Sequence, residues 1–339
     1  MKGAQVVLGE WKGRAAAALL RDGRLEDLLI DPPGDAPGPG AVLRGVVDRA
    51  PKGLGGVFVR LPGETGFLRG AKGRRPGEAV TVQVTGHPEP GKARPLTDRL
   101  AIRSRYALAT PGAPGINIAR SIRDEDVRAA LMQVARDALG GPESAGSVGA
   151  ILRSAAAEAD PQAVADDLLA TWTTARDVAA DTGRDPALLL DAPDAHEAAW
   201  RDWGDVSDVA EGWESHGIPD RIDALRGPEV ALRDGTLFIE PTRALVAVDV
   251  NAPEGGAAGL RANLACAREL PRQLRLRGLG GQVVVDCAPV PKGERRRVES
   301  AFKGAFKGDP IETSVIGWTP LGHLELTRKR ERRPLEELL

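Results

Sequence analysis

Two aspartates near the ends of apolar runs are the residues of this 339-residue chain with the clearest capacity for chemistry. Asp249 lies in ALVAVDVN (244–251), and Asp286 ends QVVVD (282–286). A carboxylate in an apolar run is costly to bury unless a partner compensates it. Two such carboxylates could hold one Mg²⁺ ion, a common arrangement for acting on phosphodiesters. Asn251, two positions after Asp249, points to the same side of a strand. It could orient that carboxylate or hydrogen-bond a phosphate.

The elements around these aspartates decide whether the two side chains can meet. Both runs are short and rich in β-branched residues, which predicts buried strands. The aspartates lie 37 positions apart (286 − 249) with a helix-like stretch between them. This spacing favours neighbouring parallel strands in a strand–helix–strand unit. Taken singly, each aspartate could equally cap its strand or the following loop.

The predicted intervening helix has two faces. Its apolar side is expected to be buried, and its arginines are expected on the surface. Pro271 should kink this helix or end its first half. The apolar residues are Leu260, Leu264, Leu270 and Leu274, and the arginines are Arg261, Arg268, Arg272, Arg275 and Arg277.

Residues 41–100 contain several short strand patterns separated by Gly and Pro, which favours a small barrel of the OB type. If Val57 and Val59 face the core, Phe58 and Arg60 face outward. An outward phenylalanine beside arginine could stack a nucleobase and neutralise a phosphate. The opposite face assignment, with Phe58 as an ordinary core residue, is equally compatible with the alternation.

Other segments give coarser predictions. Residues 1–31 have the pattern of a hairpin or meander, and 32–40 are linker-like. Ser121 with Asp124 suggests a capping box for a helix within 120–140. Asp160 followed by Pro161 predicts the start of a helix that runs to about Thr182.

Composition and charge limit the classes of protein to consider. Hydrophobic residues make up 42% and charged residues 28% of the chain, as in ordinary globular proteins. Cys266 and Cys287 are its two cysteines, too few for a disulfide scaffold or a four-cysteine zinc site. No apolar run reaches the ~20 residues of a membrane span, and the first residues lack a signal-peptide core. We therefore expect a cytoplasmic protein with no membrane span.

Net charge is −2 but is unevenly distributed. Residues 39–105 hold 13 basic and 5 acidic residues, 155–220 hold 3 and 16, and 261–333 hold 16 and 8. The two basic segments could attract a polyanion locally, although a solvated surface can show the same distribution.

Three segments form a long and specific pattern: ALVAVDVN (244–251), Asn263-Leu264 and RQLRLRGLGGQVVVD (272–286). This pattern resembles the catalytic core of the ribonuclease E/G family, and Glu325-Leu326-Thr327-Arg328 resembles the family's segment just beyond that core. Weaker similarity extends to the start of the chain and through the small barrel. The resemblance implies a single-strand-specific endoribonuclease that acts on messenger and ribosomal RNA.

The resemblance also implies a fold: an α/β (α+β) protein with several subdomains. An RNase H-like subdomain would carry an inserted S1-type OB barrel, followed by a 5′-sensor region and a DNase I-like catalytic subdomain. The expected boundaries are 1–38 with 196–228 for a reduced RNase H-like subdomain, 39–105 for the barrel, 106–195 for the sensor-like region and 229–339 for the catalytic subdomain.

Site residues follow from the same resemblance. Asp249 and Asp286 resemble the two magnesium-binding aspartates of the family, and Asn251 resembles the catalytic asparagine beside them. The residues that match RNA-contacting positions are Phe58, Phe67 and Lys92 in the barrel, and Arg153 and Ser154 in the sensor. An arginine fork with a hydroxyl donor suits a terminal phosphate. Alone, Arg153 could instead form a salt bridge to the acidic tract.

This chain also departs from the family pattern. The loop 252–258, APEGGAA, is shorter and lacks the usual basic and paired acidic residues. No cysteine pair follows the catalytic segment, so a zinc-linked dimer is not expected, and the oligomeric state stays open. The region 184–228 looks compressed, which suggests a reduced RNase H-like part.

The sequence therefore favours a Mg²⁺-dependent endoribonuclease that cleaves single-stranded RNA in ribosomal RNA processing or messenger RNA decay. The alternative is a catalytically weakened RNA-binding protein of the same family, suggested by the short loop and the absent cysteines. A DNA-directed nuclease is less favoured because no segment resembles a duplex-groove reader.

Overall fold

A computed structural model describes residues 3–51, 53–71, 73–88, 91–140, 146–204, 206, 208–254 and 257–339. The strands are β1 (Ala4–Trp11), β2 (Arg14–Arg21), β3 (Arg24–Ile30), β4 (Val42–Arg49), β5 (Gly56–Arg60), β6 (Thr65–Arg69), β7 (Ala79–Val84), β8 (Arg94–Thr97), β9 (Ile102–Arg103), β10 (Ala107–Pro111), β11 (Ile116–Ile118), β12 (Val148–Leu152), β13 (Ala187–Leu190), β14 (Val209–Glu211), β15 (Glu229–Leu232), β16 (Gly235–Pro241), β17 (Val246–Asn251), β18 (Gly281–Asp286), β19 (Thr313–Trp318) and β20 (Leu324–Arg328). The helices are α1 (Glu125–Leu139), α2 (Pro161–Ala179), α3 (Ala195–Asp202), α4 (Ile218–Ala224), α5 (Ala258–Leu276) and α6 (Arg295–Lys307).

The strands and helices form two compact units. One runs from the N-terminal residues to Pro33 and includes Asp208–Leu339, and the other comprises residues 34–207.

The 34–207 unit begins with a closed five-stranded barrel. Strands β4, β5, β6, β8 and β7 pair in that order, and a β4–β7 pairing closes the ring. The barrel is consistent with the OB-type fold expected from the sequence, and β13 pairs with β4 at its side. Alternating inward residues fill the interior: Val57, Val59 and Leu68 are at most 1% exposed. The short, Gly-punctuated strands therefore close on one apolar core, as small barrels do.

The second half of this unit is a four-stranded sheet with order β11-β12-β10-β9. Helices α1 and α2 pack on it and supply the apolar residues of its core, including Leu131, Leu168 and Trp172. The Trp172 indole nitrogen donates to the Val148 carbonyl at 3.2 Å, which satisfies its buried polar atom. This sheet positions Arg153, which directly follows β12.

The other unit contains two sheets. The N-terminal strands form the meander β1-β2-β3, as the sequence predicts, and β14 adds to β1 in parallel. The larger sheet has the order β15-β16-β17-β18-β20-β19, in which β17 and β18 are parallel neighbours. Helices α5 and α6 pack on one face of it through residues such as Leu270, Leu274 and Phe302, all 0% exposed.

Three sequence-based details of the helices are corrected by the structure. Asp124, not Ser121, is the N-cap of α1, because its carboxylate accepts from the N–H groups of Asp126 and Val127. Helix α2 does begin after Asp160, but it ends at Ala179. Helix α5 neither ends nor splits at Pro271, and it continues to Leu276. A proline removes one helical hydrogen bond, and here the buried packing along α5 is sufficient to maintain the helix.

The expectation of surface arginines is wrong for Arg275 in α5 and for Arg277 directly after it. Arg275 and Arg277 are 6% and 7% exposed, whereas Leu260 and Leu264 are half-buried. Arg277 donates to the Gly227 carbonyl at 2.6 Å and to the Gln273 side chain at 3.1 Å. Its buried guanidinium is therefore satisfied by neutral oxygens.

Arg275 belongs to a buried charge cluster that joins distant parts of the chain. Its guanidinium pairs with Asp309, and it reaches Glu26 at 2.6 Å and Asp27 at 3.4 Å on β3. Asp309 also accepts from Arg328 of β20 at 2.9 Å, and both of these side chains are 0% exposed. Charges of both signs alternate through the cluster, so each buried charge has an opposite neighbour.

Neutralising Asp309 should take away the carboxylate that pairs with the buried Arg328 and one of the three carboxylates that face Arg275. We expect Asp309→Asn to lower the free energy of unfolding by about 3–5 kcal/mol, the typical cost of breaking a buried ion pair. Urea denaturation measures this value. Glu312→Gln is the matched control, because Glu312 pairs with Lys329 on the exposed surface at 67% and 58% side-chain exposure. An exposed pair of this kind contributes about 0–1 kcal/mol, so equal losses in the two variants would contradict the role given to Asp309.

The cluster should also make stability depend on acid pH. Burial opposes ionisation of Asp27, but Arg332, Arg275 and the Leu28 N–H together hold the pKa of its carboxyl below the usual value. A lowered pKa adds stability above the ordinary carboxyl pKa of about 4. That stability is lost as the pH falls through the lower pKa of the folded protein. The free energy of unfolding from pH 7 to pH 2 should therefore fall more steeply for the wild type than for Asp27→Asn, and parallel curves would rule this out.

Candidate functional site

Asp249 and Asp286 lie side by side at the carboxyl ends of β17 and β18. The two residues are register partners in the parallel pair, so their Cα atoms lie one strand spacing apart, about 4.8 Å. Their neighbours Val248, Val250 and Val285 are at most 3% exposed, whereas both aspartates are exposed. The alternation therefore directs the valines toward α5 and α6, and both carboxylates toward the open face of the sheet.

The side chain of Asn251 lies next to this pair. Its Nδ2 donates to Oδ2 of Asp249 at 2.8 Å, as expected for residues two apart on a strand. Asn251 therefore restricts the orientation of the Asp249 carboxylate and leaves the other oxygen available.

His323 is a site residue that the sequence reasoning missed. Its Nε2 lies 3.7 Å from Oδ1 of Asp286. The register explains this contact, because Val285 pairs with Leu324, and the residue before Leu324 must then lie opposite Asp286. The position of His323 directly before Leu324 could have indicated this contact, but only if β18 and β20 had been known to be antiparallel neighbours.

Cys287 follows Asp286 directly and is half-buried. Burial raises the pKa of its thiol to about 12, and the Asp286 carboxylate adds to the shift. The thiol is therefore protonated at neutral pH and does not supply a nucleophile to this site.

Asn263 fixes α5 against the loop that follows Asp286. Its Nδ2 donates to the Ala288 carbonyl at 2.9 Å, and its Oδ1 accepts from the Ala288 N–H at 3.0 Å. Both residues are buried, at 0% and 2% exposure. At Gly259, an added Cβ would lie 2.2 Å from the Pro289 carbonyl oxygen, so the first turn of α5 touches the same loop. The helix between the two strands thus sets the path of the chain after Asp286.

A basic groove lies near the last residue of β17, Asn251. It is lined by Arg233, Asp234, Arg261, Leu264 and Arg268. Arg233 and Asp234 form the turn before Gly235, where an added Cβ would lie 2.1 Å from the Asn251 carbonyl oxygen. Arg261 donates to Asp234 at 3.2 Å. Three guanidinium groups and one carboxylate give the groove a net positive charge.

The barrel presents an aromatic pair on its outer surface. Phe58 and Phe67 are cross-strand partners on β5 and β6, with ring centroids 5.3 Å apart in an edge-to-face arrangement. Both rings are half-buried, and Arg49 lies 4.9 Å from the Phe58 centroid. Since Val57 and Val59 fill the core, the open alternation is resolved with Phe58 facing outward. Lys92 is exposed two residues before β8, whose parallel partner is β6.

Arg153 and Ser154 lie together after β12, but they differ in environment. Ser154 is exposed at the start of a short 3₁₀ turn. The Arg153 guanidinium donates to the carbonyls of Ser104 and Arg105, the latter at 3.1 Å, and pairs with Asp202 at 3.4 Å. The alternative of a salt bridge to the acidic tract is therefore present in the structure.

Other features bear on the type of site. Among the described residues, no cluster of three or more His, Cys, Asp or Glu side chains is arranged to hold a metal ion. Within the same part of the chain, no helix has the length and apolarity needed to cross a membrane. In the loop 252–258, Gly255 and Gly256 lie outside the described residues.

Two features of this structure are typical of proteins that act on nucleic acids. One is the pair of carboxylates at the carboxyl ends of neighbouring strands, and the other is a small barrel with outward aromatic rings. Sequence comparison gives the family. The profile of the Ribonuclease E/G family matches residues 101–211 and 205–331, more than half of the chain. The chain belongs to the Ribonuclease E/G family.

Individual relatives agree with this assignment. Ribonuclease G of Salmonella typhimurium is 27% identical over 311 residues, covering 78% of this chain and 62% of the relative. Ribonuclease E of Nostoc sp. is 27% identical over 365 residues, covering 88% and 52%. Ribonuclease E of Synechocystis sp. is 26% identical over 402 residues, covering 98% and 58%. The chain thus spans between half and two thirds of the length of these curated relatives.

The contact between Asn263 and Ala288 generates a prediction about stability. Asn263→Ala should leave the N–H and C=O of Ala288 buried and unpaired, at a cost of about 2–4 kcal/mol in the free energy of unfolding. Urea denaturation measures the loss. Asn251→Ala is the control, because Asn251 is exposed and water can replace its partner. A loss at position 263 no larger than at 251 would argue against this contact as a structural clamp.

Proposed function

We propose that this protein is a Mg²⁺-dependent endoribonuclease that cleaves single-stranded RNA, in ribosomal RNA processing or messenger RNA decay. The observation that carries the proposal is the in-register pairing of Asp249 with Asp286, both exposed on one face of the sheet. Membership of the Ribonuclease E/G family supports the choice of RNA as substrate.

The donor set fits Mg²⁺ by its chemistry. Mg²⁺ binds carboxylate oxygens and retains several waters, so it is commonly held by one or two carboxylates rather than by a complete protein cage. Asp249 and Asp286 provide two carboxylates on neighbouring strands, with no buried apolar side chain between them in the register. They are the residues that would hold the ion.

The protein's own residues have separate tasks in this mechanism. Asn251 holds one oxygen of Asp249 through its amide, and His323 lies beside Asp286, where it can interact with a phosphate or a carboxylate. When bound, Mg²⁺ would polarise the scissile phosphate and lower the pKa of an attacking water. Breaking the bond between phosphorus and the 3′ oxygen would then leave a 5′-phosphate on one product and a 3′-hydroxyl on the other, as the resemblance to the family implies. The groove of Arg233, Arg261 and Arg268 would neutralise backbone phosphates near the β17 end.

RNA binding would rest on the barrel as well. Unpaired bases would stack on Phe58 and Phe67, and Lys92 would lie near their phosphates. Arg153 and Ser154 would contact the 5′ end, although the Arg153 guanidinium must first give up its pairing with Asp202. This part of the proposal therefore predicts a weaker preference for a 5′-phosphate than a freely exposed arginine would give.

A catalytically weakened RNA-binding protein is the second candidate. It is favoured by the short loop after Asn251, which lacks basic residues beside the paired carboxylates. One measurement separates the two candidates. Only the endoribonuclease should cleave a 5′-monophosphorylated single-stranded oligoribonucleotide in Mg²⁺, and its cleavage should cease in EDTA.

Neutralising either aspartate should abolish cleavage without abolishing RNA binding. Asp249→Asn and Asp286→Asn each keep the size of the side chain but remove half of the negative charge available to the cation. Gel analysis of a 5′-monophosphorylated oligoribonucleotide in Mg²⁺ measures cleavage, and fluorescence anisotropy in EDTA measures affinity. Glu240→Gln is the matched control, because Glu240 is an exposed acid on β16 away from the carboxyl ends of β17 and β18. Full activity in either aspartate variant would refute the metal role.

Replacing Phe58 tests the barrel. Phe58→Ala should weaken binding of single-stranded RNA by about 1–3 kcal/mol, the usual loss for one stacked base. Anisotropy titration in EDTA measures the change, and a thermal unfolding curve shows whether the barrel stays folded. Arg60→Ala, an exposed neighbour on the same strand, should lose less because it removes only a charge. Unchanged affinity in Phe58→Ala would return this ring to a purely structural role.

A further inference from the structure

The surface around Trp200 combines an exposed aromatic ring with several cations. Trp200 is 65% exposed on α3, a large apolar exposure for a single side chain. The guanidinium carbon of Arg105 lies 4.0 Å from the Trp200 ring centroid and 5.2 Å from that of Tyr106. Arg105 thus supports the indole, and most of the ring remains open to solvent.

Further guanidinium groups lie on the same surface around Trp200. Arg201 pairs with Asp202 at 2.7 Å, and Arg153 pairs with the same carboxylate at 3.4 Å. Burial lowers the pKa of Arg153, Asp202 opposes the shift, and the positive charges of Arg103 and Arg201 add to it. The four arginines of this surface are Arg103, Arg105, Arg153 and Arg201.

Among the described residues, three carboxylates lie in these segments. They are Asp202, Glu197 one helical turn before Trp200, and Asp167, whose Oδ2 accepts from the Ser104 hydroxyl at 2.6 Å and the Tyr106 N–H at 2.9 Å. Four arginines against three carboxylates leave the described part of this surface with a positive charge beside an exposed indole. This combination suits a ligand that carries both a flat apolar ring and a negative charge.

We propose that this surface binds an unpaired nucleotide of single-stranded RNA, with its base stacked on Trp200 and an adjacent phosphate near Arg103 and Arg201. The proposal rests on the proposed function for the identity of the ligand. It goes beyond that function by adding a stacking site that is separate from the Phe58–Phe67 pair of the barrel.

Arg153 has a positioning role in this arrangement. Its guanidinium donates to the carbonyls of Ser104 and Arg105, and to that of Arg201 at 3.4 Å. These bonds join the segment before β10 to the end of α3. They hold Arg105 and Trp200 in contact, which keeps the ring presented to solvent.

The test is an anisotropy titration of a 3′-fluorescein-labelled, 5′-phosphorylated hexa-adenylate in EDTA, where Mg²⁺-dependent cleavage cannot occur. Trp200→Ala should weaken binding about 5- to 150-fold, the range that corresponds to loss of one stacked base. Trp200→Phe should retain affinity within about threefold, since a smaller ring still stacks. Arg103→Gln should reduce the slope of log K against log salt by about 0.7, as expected for one lost phosphate contact on a single strand.

Leu169→Ala is the matched control, because Leu169 is a 44% exposed apolar residue on α2 of the same unit. The titration is repeated in a Phe58→Ala background, so that binding at the barrel cannot mask the change. Quenching of tryptophan emission that is present in wild type and lost in Trp200→Phe would place the base on this indole. Unchanged affinity in Trp200→Ala, or equal losses in Trp200→Ala, Trp200→Phe and Leu169→Ala, overturns the proposal.

A parallel cleavage assay of the same oligonucleotide in Mg²⁺, analysed on a gel, separates the two proposals. Affinity that depends on Trp200 without any cleavage in Mg²⁺ would reject the endoribonuclease and keep the stacking site. Cleavage in Mg²⁺ with affinity that is independent of Trp200 would reject the stacking site and keep the endoribonuclease.

Discussion

The register of one parallel strand pair governs the candidate active site. β17 and β18 are aligned so that Val246, Val248 and Asp249 face Val283, Val285 and Asp286. A shift of either strand by one residue would turn the carboxylate of that strand toward α5 and α6 and turn its valines outward. Burial of these valines therefore fixes the register, and the register in turn sets the aspartates side by side. The apolar core thus determines where the two charges lie.

Helix α5 enforces this alignment from both ends. Near its start, Asn263 holds the loop after Asp286 by two hydrogen bonds to Ala288. Near its end, Arg275 enters the buried cluster with Asp309 and the acids of β3. The middle of the helix packs Leu270 and Leu274 on the sheet, which is why Pro271 does not end it. The helix between the two strands is therefore held by polar contacts at its ends and by apolar contacts between them.

Local patterns predicted the parts of the site that depend on neighbouring residues in the sequence. Alternation and spacing were enough to place Asp249, Asn251 and Asp286 on neighbouring strands. For Phe58, alternation left open whether the ring faces the core or the outside of the barrel, and the closed barrel shows that it faces outward. The catalytic and RNA-binding roles of these residues stay predictions, as do the subdomain boundaries and the cytoplasmic location.

Features that depend on distant partners could not be predicted in this way. Arg275 looked like a surface residue because its partners Glu26 and Asp309 lie elsewhere in the chain. His323 reaches Asp286 only through the β18–β20 register, and β19 beside it contains a register shift near Val315. The partners of the Arg153 side chain come from two separate segments, 104–105 and 201–202. In each case the contact joins residues that are distant in the sequence, so local sequence patterns could not predict it.

The discontinuous unit has a consequence for how the chain is made. The meander β1-β2-β3 buries Leu20, Leu25 and Leu28 against Trp213 and Ile218, which lie beyond the 34–207 unit in the sequence. During synthesis Leu28, the last of these three leucines, is made 185 residues (213 − 28) before Trp213. At about 5–20 residues per second, that interval lasts roughly 9–37 s. Until then the apolar side chains of the meander lack these partners, whereas the 34–207 unit is complete in sequence once residue 207 has been made.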